Sequence, residues 1–96
     1  MPLELDGLKI EDRQLTSLIF NADNDIFFYG RALDKEGKDI CDRLAKFKID
    51  SLVEVIAESD YLKREGVYRI NEIKIPSREE KDRVIYRFSG KLTPVY

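Results

Sequence analysis

Apolar positions along this chain alternate more often than they recur at helical spacing, and that pattern predicts a succession of short strands. Leu3, Leu5, Leu8 and Ile10 open the chain, and their alternation slips by one residue at Gly7, the mark of a bend or bulge in a strand. Leu15 to Asn21 reads as the second strand and Ile26 to Leu33 as the third, with Ala22-Asp23-Asn24-Asp25 as the turn of a hairpin between them. Ile26, Phe27, Phe28 and Tyr29 are consecutive and large. The third strand is therefore expected to meet apolar partners on both faces, within the domain or across an interface.

Asp34-Lys35-Glu36-Gly37 reads as a turn, after which Asp39 can accept hydrogen bonds from the free amides of a short helix starting at Ile40. Ile40, Leu44 and Phe47 share one face of it, flanked by Cys41 and Ala45, while Asp42, Arg43 and Lys46 face out. The β-branched run Leu52 to Glu58 predicts the fourth strand. Ser59 to Gly66 reads as a polar connection anchored by Tyr61 and Leu62, with room for one helical turn that Gly66 closes. Val67 to Ile75 is the fifth strand, with a bulge near Asn71 and Glu72, and Pro76 ends it because proline cannot donate to a ladder. Ser77 to Asp82 is a charged hairpin loop or short helical turn. In the last strand Val84, Tyr86, Phe88, Gly90 and Leu92 share one face and Ile85, Arg87, Ser89 and Lys91 the other, as a half-buried antiparallel strand requires.

These elements exclude a doubly wound parallel sheet, which needs a crossover helix between most of its strands. They predict a mainly β (α+β) fold: a small antiparallel β-barrel or sandwich of about six strands, with one short helix between strands 3 and 4. Ninety-six residues suffice for a single domain, 1–96, and a 43% hydrophobic content supplies its core.

Charge changes the picture only in its distribution. The net charge is -2, but residues 1–30 carry six acids against two bases, whereas residues 31–96 carry thirteen against fifteen. Such asymmetry can set an acidic face of one copy against a basic face of another, but its commoner meaning is a mixed, solvated shell of charge. Phe27, Tyr29, Arg31, Arg69 and Arg87 are the interface candidates. One cysteine excludes an intramolecular disulfide and fits a reducing interior. Met1 to Ile10 contains Glu4, Asp6 and Lys9, which do not make a signal-peptide core, and no apolar run approaches the roughly 20 residues of a membrane span. A cytoplasmic protein with no membrane partner is expected.

Candidate chemistry is sparse. The chain has no histidine, which removes the usual general base near neutral pH and the commonest zinc ligand. Cys41, beside a helical apolar face, reads as a small core residue. Asn21, Asp23 and Asp25 begin like a calcium loop, but Ile26 stands where glycine is needed and Ala32 where a bidentate glutamate is needed, so they read as a turn. Glu11-Asp12 and Glu79-Glu80 read as solvated charges, and no phosphate-cradling motif occurs among the glycines; Gly7, Gly30 and Gly90 lie in strands where a bulge or close packing is expected. The expectation is a protein that is not an enzyme, with no catalytic, cofactor-binding or metal-binding residues. An oligonucleotide-binding barrel is the alternative, with Tyr29, Arg31, Tyr68, Arg69, Tyr86 and Arg87 as a stacking surface. Against it, Tyr68 and Tyr86 fall in core-facing sets, and the overall charge is not that of a polyanion binder.

The order of elements from the helix onward resembles small β-domains of tail proteins in phages and related contractile injection systems. The resemblance is carried by 39–45 (DICDRLA), 52–55 (LVEV), 65–70 (EGVYRI) and 86–92 (YRFSGKL), and leaves the first 25 residues uncovered. It implies a virion or prophage structural subunit, found in the host cytoplasm or the virion, whose strands and loops pair with neighbouring copies or other assembly proteins as a homo-oligomer, ring or tube.

Overall fold

The opening apolar residues form two strands, not one bent strand. In the computed structural model, which describes residues 2–75, 77–80 and 83–95, β1 (Leu3–Leu5) and β2 (Leu8–Ile10) are joined by Asp6 and Gly7. Both turn residues have positive φ, 45° and 86°, the requirement of a tight two-residue hairpin turn. The reversal accounts for the slip at Gly7: it lets Leu3, Leu5, Leu8 and Ile10 all face inward, each 3% exposed or less. Asp6 fastens the hairpin to the neighbouring strand by donating its amide to Glu54 O at 2.9 Å, while its Oδ1 accepts from Glu54 N at 2.6 Å.

A short 3-10 turn, Asp12–Gln14, leads into β3 (Leu15–Phe20), which pairs with β4 (Ile26–Leu33). The turn between them is the expected one. Asn21 Oδ1 accepts from the amides of Asp23 and Asp25 at 3.0 and 2.9 Å, and Asn24 takes the left-handed conformation, φ 65°, that asparagine tolerates.

The helix α1 spans Asp34–Leu44 and so begins six residues before the expected start at Ile40. Asp39 is inside it and caps nothing. Its N-terminus is set from a distance, because Asp34 Oδ1 accepts the amide of Val84 at 3.3 Å. Gly37 joins Ile40, Cys41 and Leu44 on the buried face, at spacings of three, one and three residues. A β-carbon on Gly37 would come within 2.7 Å of the Tyr86 ring and 2.5 Å of Ala32 O, so glycine is what lets the helix lie against the sheet.

β5 (Leu52–Glu58) matches its expected bounds. β6 (Lys63–Lys74) starts earlier than expected: Gly66 does not close a helical turn but pairs with Val55 inside the strand, leaving only Ser59 to Leu62 as the connection. Tyr61 and Leu62 do not anchor it, because both stand exposed in this short loop. The bulge is where the apolar set shifts, between Ile70 and Glu72. Within the charged segment, Ser77–Glu80 form β7, which pairs with β8 (Arg83–Pro94); Pro76 as a strand terminator and the Lys81-Asp82 part of the loop lie outside the described residues.

The fold is thus mainly β, antiparallel throughout, with one helix. Eight strands occur among the described residues where about six were expected, and the helix lies between β4 and β5 because the opening segment counts twice. All belong to one sheet, in the order β2-β1-β5-β6-β8-β4-β3, with β7 also on β8. Among the described residues there is one sheet, not the two of a sandwich. The sheet instead wraps a single core in the manner of an incompletely closed barrel, in which Leu3 and Ile10 from one end share a cluster with Ile26 and Phe28 from the other. From β6, Arg64 reaches across the interior to lie 5.7 Å from the centre of the Phe20 ring on β3.

Two cross-strand pairs lock the centre of the sheet. Phe28 on β4 stands opposite Gly90 on β8, and Gly30 stands opposite Phe88. Each ring covers the glycine across from it, so that a β-carbon at Gly30 or Gly90 would meet the ring at 2.4 or 2.5 Å.

Candidate functional site: the outer face of the sheet

Alternation along β4 sends Ile26 and Phe28 inward and Phe27, Tyr29 and Arg31 outward. The β4–β8 register then sets Phe27 opposite Lys91, Tyr29 opposite Ser89, and Arg31 opposite Arg87. On the far side of β8, Glu72 and Lys74 of β6 stand opposite Lys91 and Ser89; on the far side of β4, Ile19 of β3 stands opposite Phe27. Four strands thereby build one face. Ile19 and Tyr29 remain 48% and 44% exposed on it, and a shallow depression of about 110 Å³ lies among Phe27, Tyr29, Glu72, Lys74, Ser89 and Lys91.

The electrostatics of this face are mainly positive. Lys91 Nζ lies 5.4 Å from the centre of the Phe27 ring and 3.8 Å from Asp25 Oδ2, while Lys74 pairs with Glu72 at 3.0 Å. Arg31 and Arg87 face each other as a directly opposed pair of like charges, an arrangement that is destabilising relative to a neutral pair. Of the interface candidates, Phe27, Tyr29, Arg31 and Arg87 come together here. Arg69 does not join them closely: it stands on β6 opposite Thr93 and Leu52, and its Nη1 donates to Asp50 O at 3.2 Å. Tyr68 is buried and Tyr86 packs against the core, so neither reaches the outer face.

A second surface patch was not singled out from the sequence. On the outer face of β5 and β6, Leu52, Ile56 and Val67 are 52%, 37% and 45% exposed, with Glu54, Glu58 and Glu65 between them. Glu54 and Glu58 lie two residues either side of Ile56, and Glu65 lies directly opposite it. Lys63 pairs with Glu65 at 2.9 Å, and Glu4 of β1 extends the acidic group from the other flank of Ile56. The outward-facing half of the Leu52 to Glu58 alternation was the available signal. Charge excess therefore follows the faces more closely than the first third and the remainder of the chain: β8 brings Arg87 opposite Arg31 from more than fifty residues away and Lys91 opposite Phe27, while Lys63 and Arg69 border the acidic patch.

A wider groove of about 370 Å³ lies at the start of α1, among Arg13, Gln14, Thr16, Arg31 and Glu36. The Glu36 carboxylate accepts from both Arg13 and Gln14, and the Arg13 hydrogen bond first, aided by Gln14, holds its carboxyl below the usual range. Arg13 also pairs with Glu11 at 3.1 Å. These groups are engaged with one another, which makes the groove a clamp between the 3-10 turn and the helix. Cys41 is 5% exposed, and burial pushes its thiol up to about 11, away from the reactive thiolate. Among the described residues no three or more His, Cys, Asp or Glu side chains are grouped as a metal site, and no helix is long and apolar enough to cross a membrane.

Scans against protein-family models, curated proteins and solved structures each return no match to this chain.

Proposed function

We propose that this chain is a non-enzymatic assembly subunit of the tail type, acting through protein–protein contacts made by the outer face of its sheet and working in the host cytoplasm or the virion. The observation that carries the reading is the cluster Ile19, Phe27 and Tyr29, which leaves aromatic and aliphatic surface in water on regular, hydrogen-bonded strands. Aromatic residues with arginine at their edge, as Tyr29 has Arg31 and Arg87, are the composition that interface centres favour. Rigid strands offer such a contact at little entropic cost. Size-exclusion chromatography with light scattering should give a species of more than one chain, and Ile19→Asp with Tyr29→Asp should raise the dissociation constant at least tenfold while circular dichroism is unchanged. A strict monomer at high concentration, with no assembly partner retained, overturns the proposal.

One observation favours a second reading. Tyr29 lies among Arg31, Arg87 and Lys91, a stacking surface within a positive field, which is what single-stranded nucleic acid requires. In that case a labelled oligonucleotide gains anisotropy at low salt and loses it steeply as salt rises, through Arg31 and Arg87.

A further inference from the structure

The two outer patches carry opposite charge and sit on different parts of the sheet. In the strand order, β5 is three positions from β4, about 14 Å along a curved surface at the usual strand spacing. The β4–β8 patch presents Arg31, Arg87 and Lys91 around Tyr29. Its counterpart on β5–β6 presents Glu54, Glu58 and Glu65 around Ile56, with Val67 beside Glu54 in the opposed strand and two bases at its ends, Lys63 opposite Glu58 and Arg69 opposite Leu52, which leaves acid in excess once Glu4 is included. Part of the charge is met within each patch, Lys91 by Asp25 and Glu65 by Lys63; the excess, positive around Arg31 and Arg87 and negative around Glu54, is unfavourable until an opposite charge arrives. Each patch also exposes apolar side chains that water does not satisfy.

Docking like on like brings guanidinium to guanidinium or carboxylate to carboxylate across the contact. Docking unlike patches relieves both repulsions at once and covers Tyr29 and Ile56 together. We propose that the partner for which the β4–β8 face is built is the β5–β6 face of a second copy of this chain, so that copies associate head to tail. The proposal rests on the assembly reading above and adds the identity of both contacting surfaces. Because the patches are distinct, a pair of chains leaves one face of each kind free, and association continues until a ring closes or a filament grows.

The test uses two double variants whose altered faces are neutral: Arg31→Ser with Arg87→Ser, and Glu54→Ser with Glu58→Ser. All four side chains are at the surface, and circular dichroism and thermal melts check that the fold is retained. Sedimentation velocity of the wild-type chain should show species larger than two copies. Each double variant alone should be monomeric, its dissociation constant raised at least tenfold. An equimolar mixture should form a species of two copies and nothing larger, since the mixture retains one competent contact. A wild-type chain that assembles while the mixture stays monomeric overturns head-to-tail docking and leaves the assembly reading intact. A wild-type chain that is monomeric at every concentration overturns both, and doubly so where a labelled oligonucleotide binds the Arg31–Arg87 face.

Discussion

Cys41 shows how far a single residue's chemistry follows from its surroundings. It lies beside Ile40 on the face of α1 that meets the sheet, 5% exposed, and burial, with a smaller contribution from the Asp42 charge, moves its thiol from 9.0 to about 11. In the unfolded chain the thiol loses its proton near pH 9, while the folded chain still holds it. The stability linked to this difference is present in full below pH 9 and is lost as pH rises toward 11. Urea melts should therefore show wild-type stability falling between pH 9 and 11 more steeply than that of Cys41→Ala, whose alkaline decline lacks this contribution. Equal slopes would refute the burial of the thiol. That Cys41 is core was legible from its place beside an apolar helical stripe. Its raised proton affinity was not, since it depends on strands β4 and β8 closing over the helix.

At the scale of elements, the paired rings and glycines of β4 and β8 are the most demanding packing in the molecule. Gly90 stands under Phe28 and Gly30 under Phe88, with no room for a methyl group at either position. Gly90→Ala should destabilise by about 1–3 kcal/mol, the usual range for overpacking, and Phe28→Leu should recover part of that loss when combined with it. Denaturant midpoints of the two single variants and the double variant measure the coupling; additive effects would mean that ring and glycine do not touch. In the sequence both glycines read as strand positions that mark either a bulge or close packing, and the structure shows close packing. The sequence could not pair them crosswise, because register between segments more than fifty residues apart has no local signal. The helix illustrates the opposite failure. Asp39 looked like a cap and Gly37 like a breaker, yet the true start at Asp34 is held by the Val84 amide of β8, and Gly37 is buried where Tyr86 demands it. Local propensity lost to a distant contact there. The interface residues followed the same division: alternation turned Phe27, Tyr29 and Arg31 outward, but only the β4–β8 register could bring Arg87 to them and leave Arg69 aside.

For the molecule as a whole, the decisive strand is the last one. β8 bonds β6, β7 and β4, and through β4 it holds β3, so the half of the sheet bearing the positive face does not exist until residues 83–94 are in place. The other half, β1, β2 and β5, is closer to self-sufficient, although β1 must wait for β5, some fifty residues on. Joining such distant segments requires loop closure before any pairing rewards it, and antiparallel folds of this kind form in milliseconds to seconds, not microseconds. Stopped-flow refolding from urea, followed by the tyrosine fluorescence of a chain that has no tryptophan, should accordingly show its main phase in that range. Amide exchange supplies the spatial half of the same prediction. Protection should be greatest at Phe28, Gly30, Phe88 and Gly90, where β4 and β8 interlock, and least along β3, whose outer edge has no partner strand among the described residues. Microsecond refolding, or β3 amides as slow as those of β8, would contradict a sheet assembled around its final strand. The positive face would then be built before the strand that supplies Arg87 and Lys91, which the register does not permit.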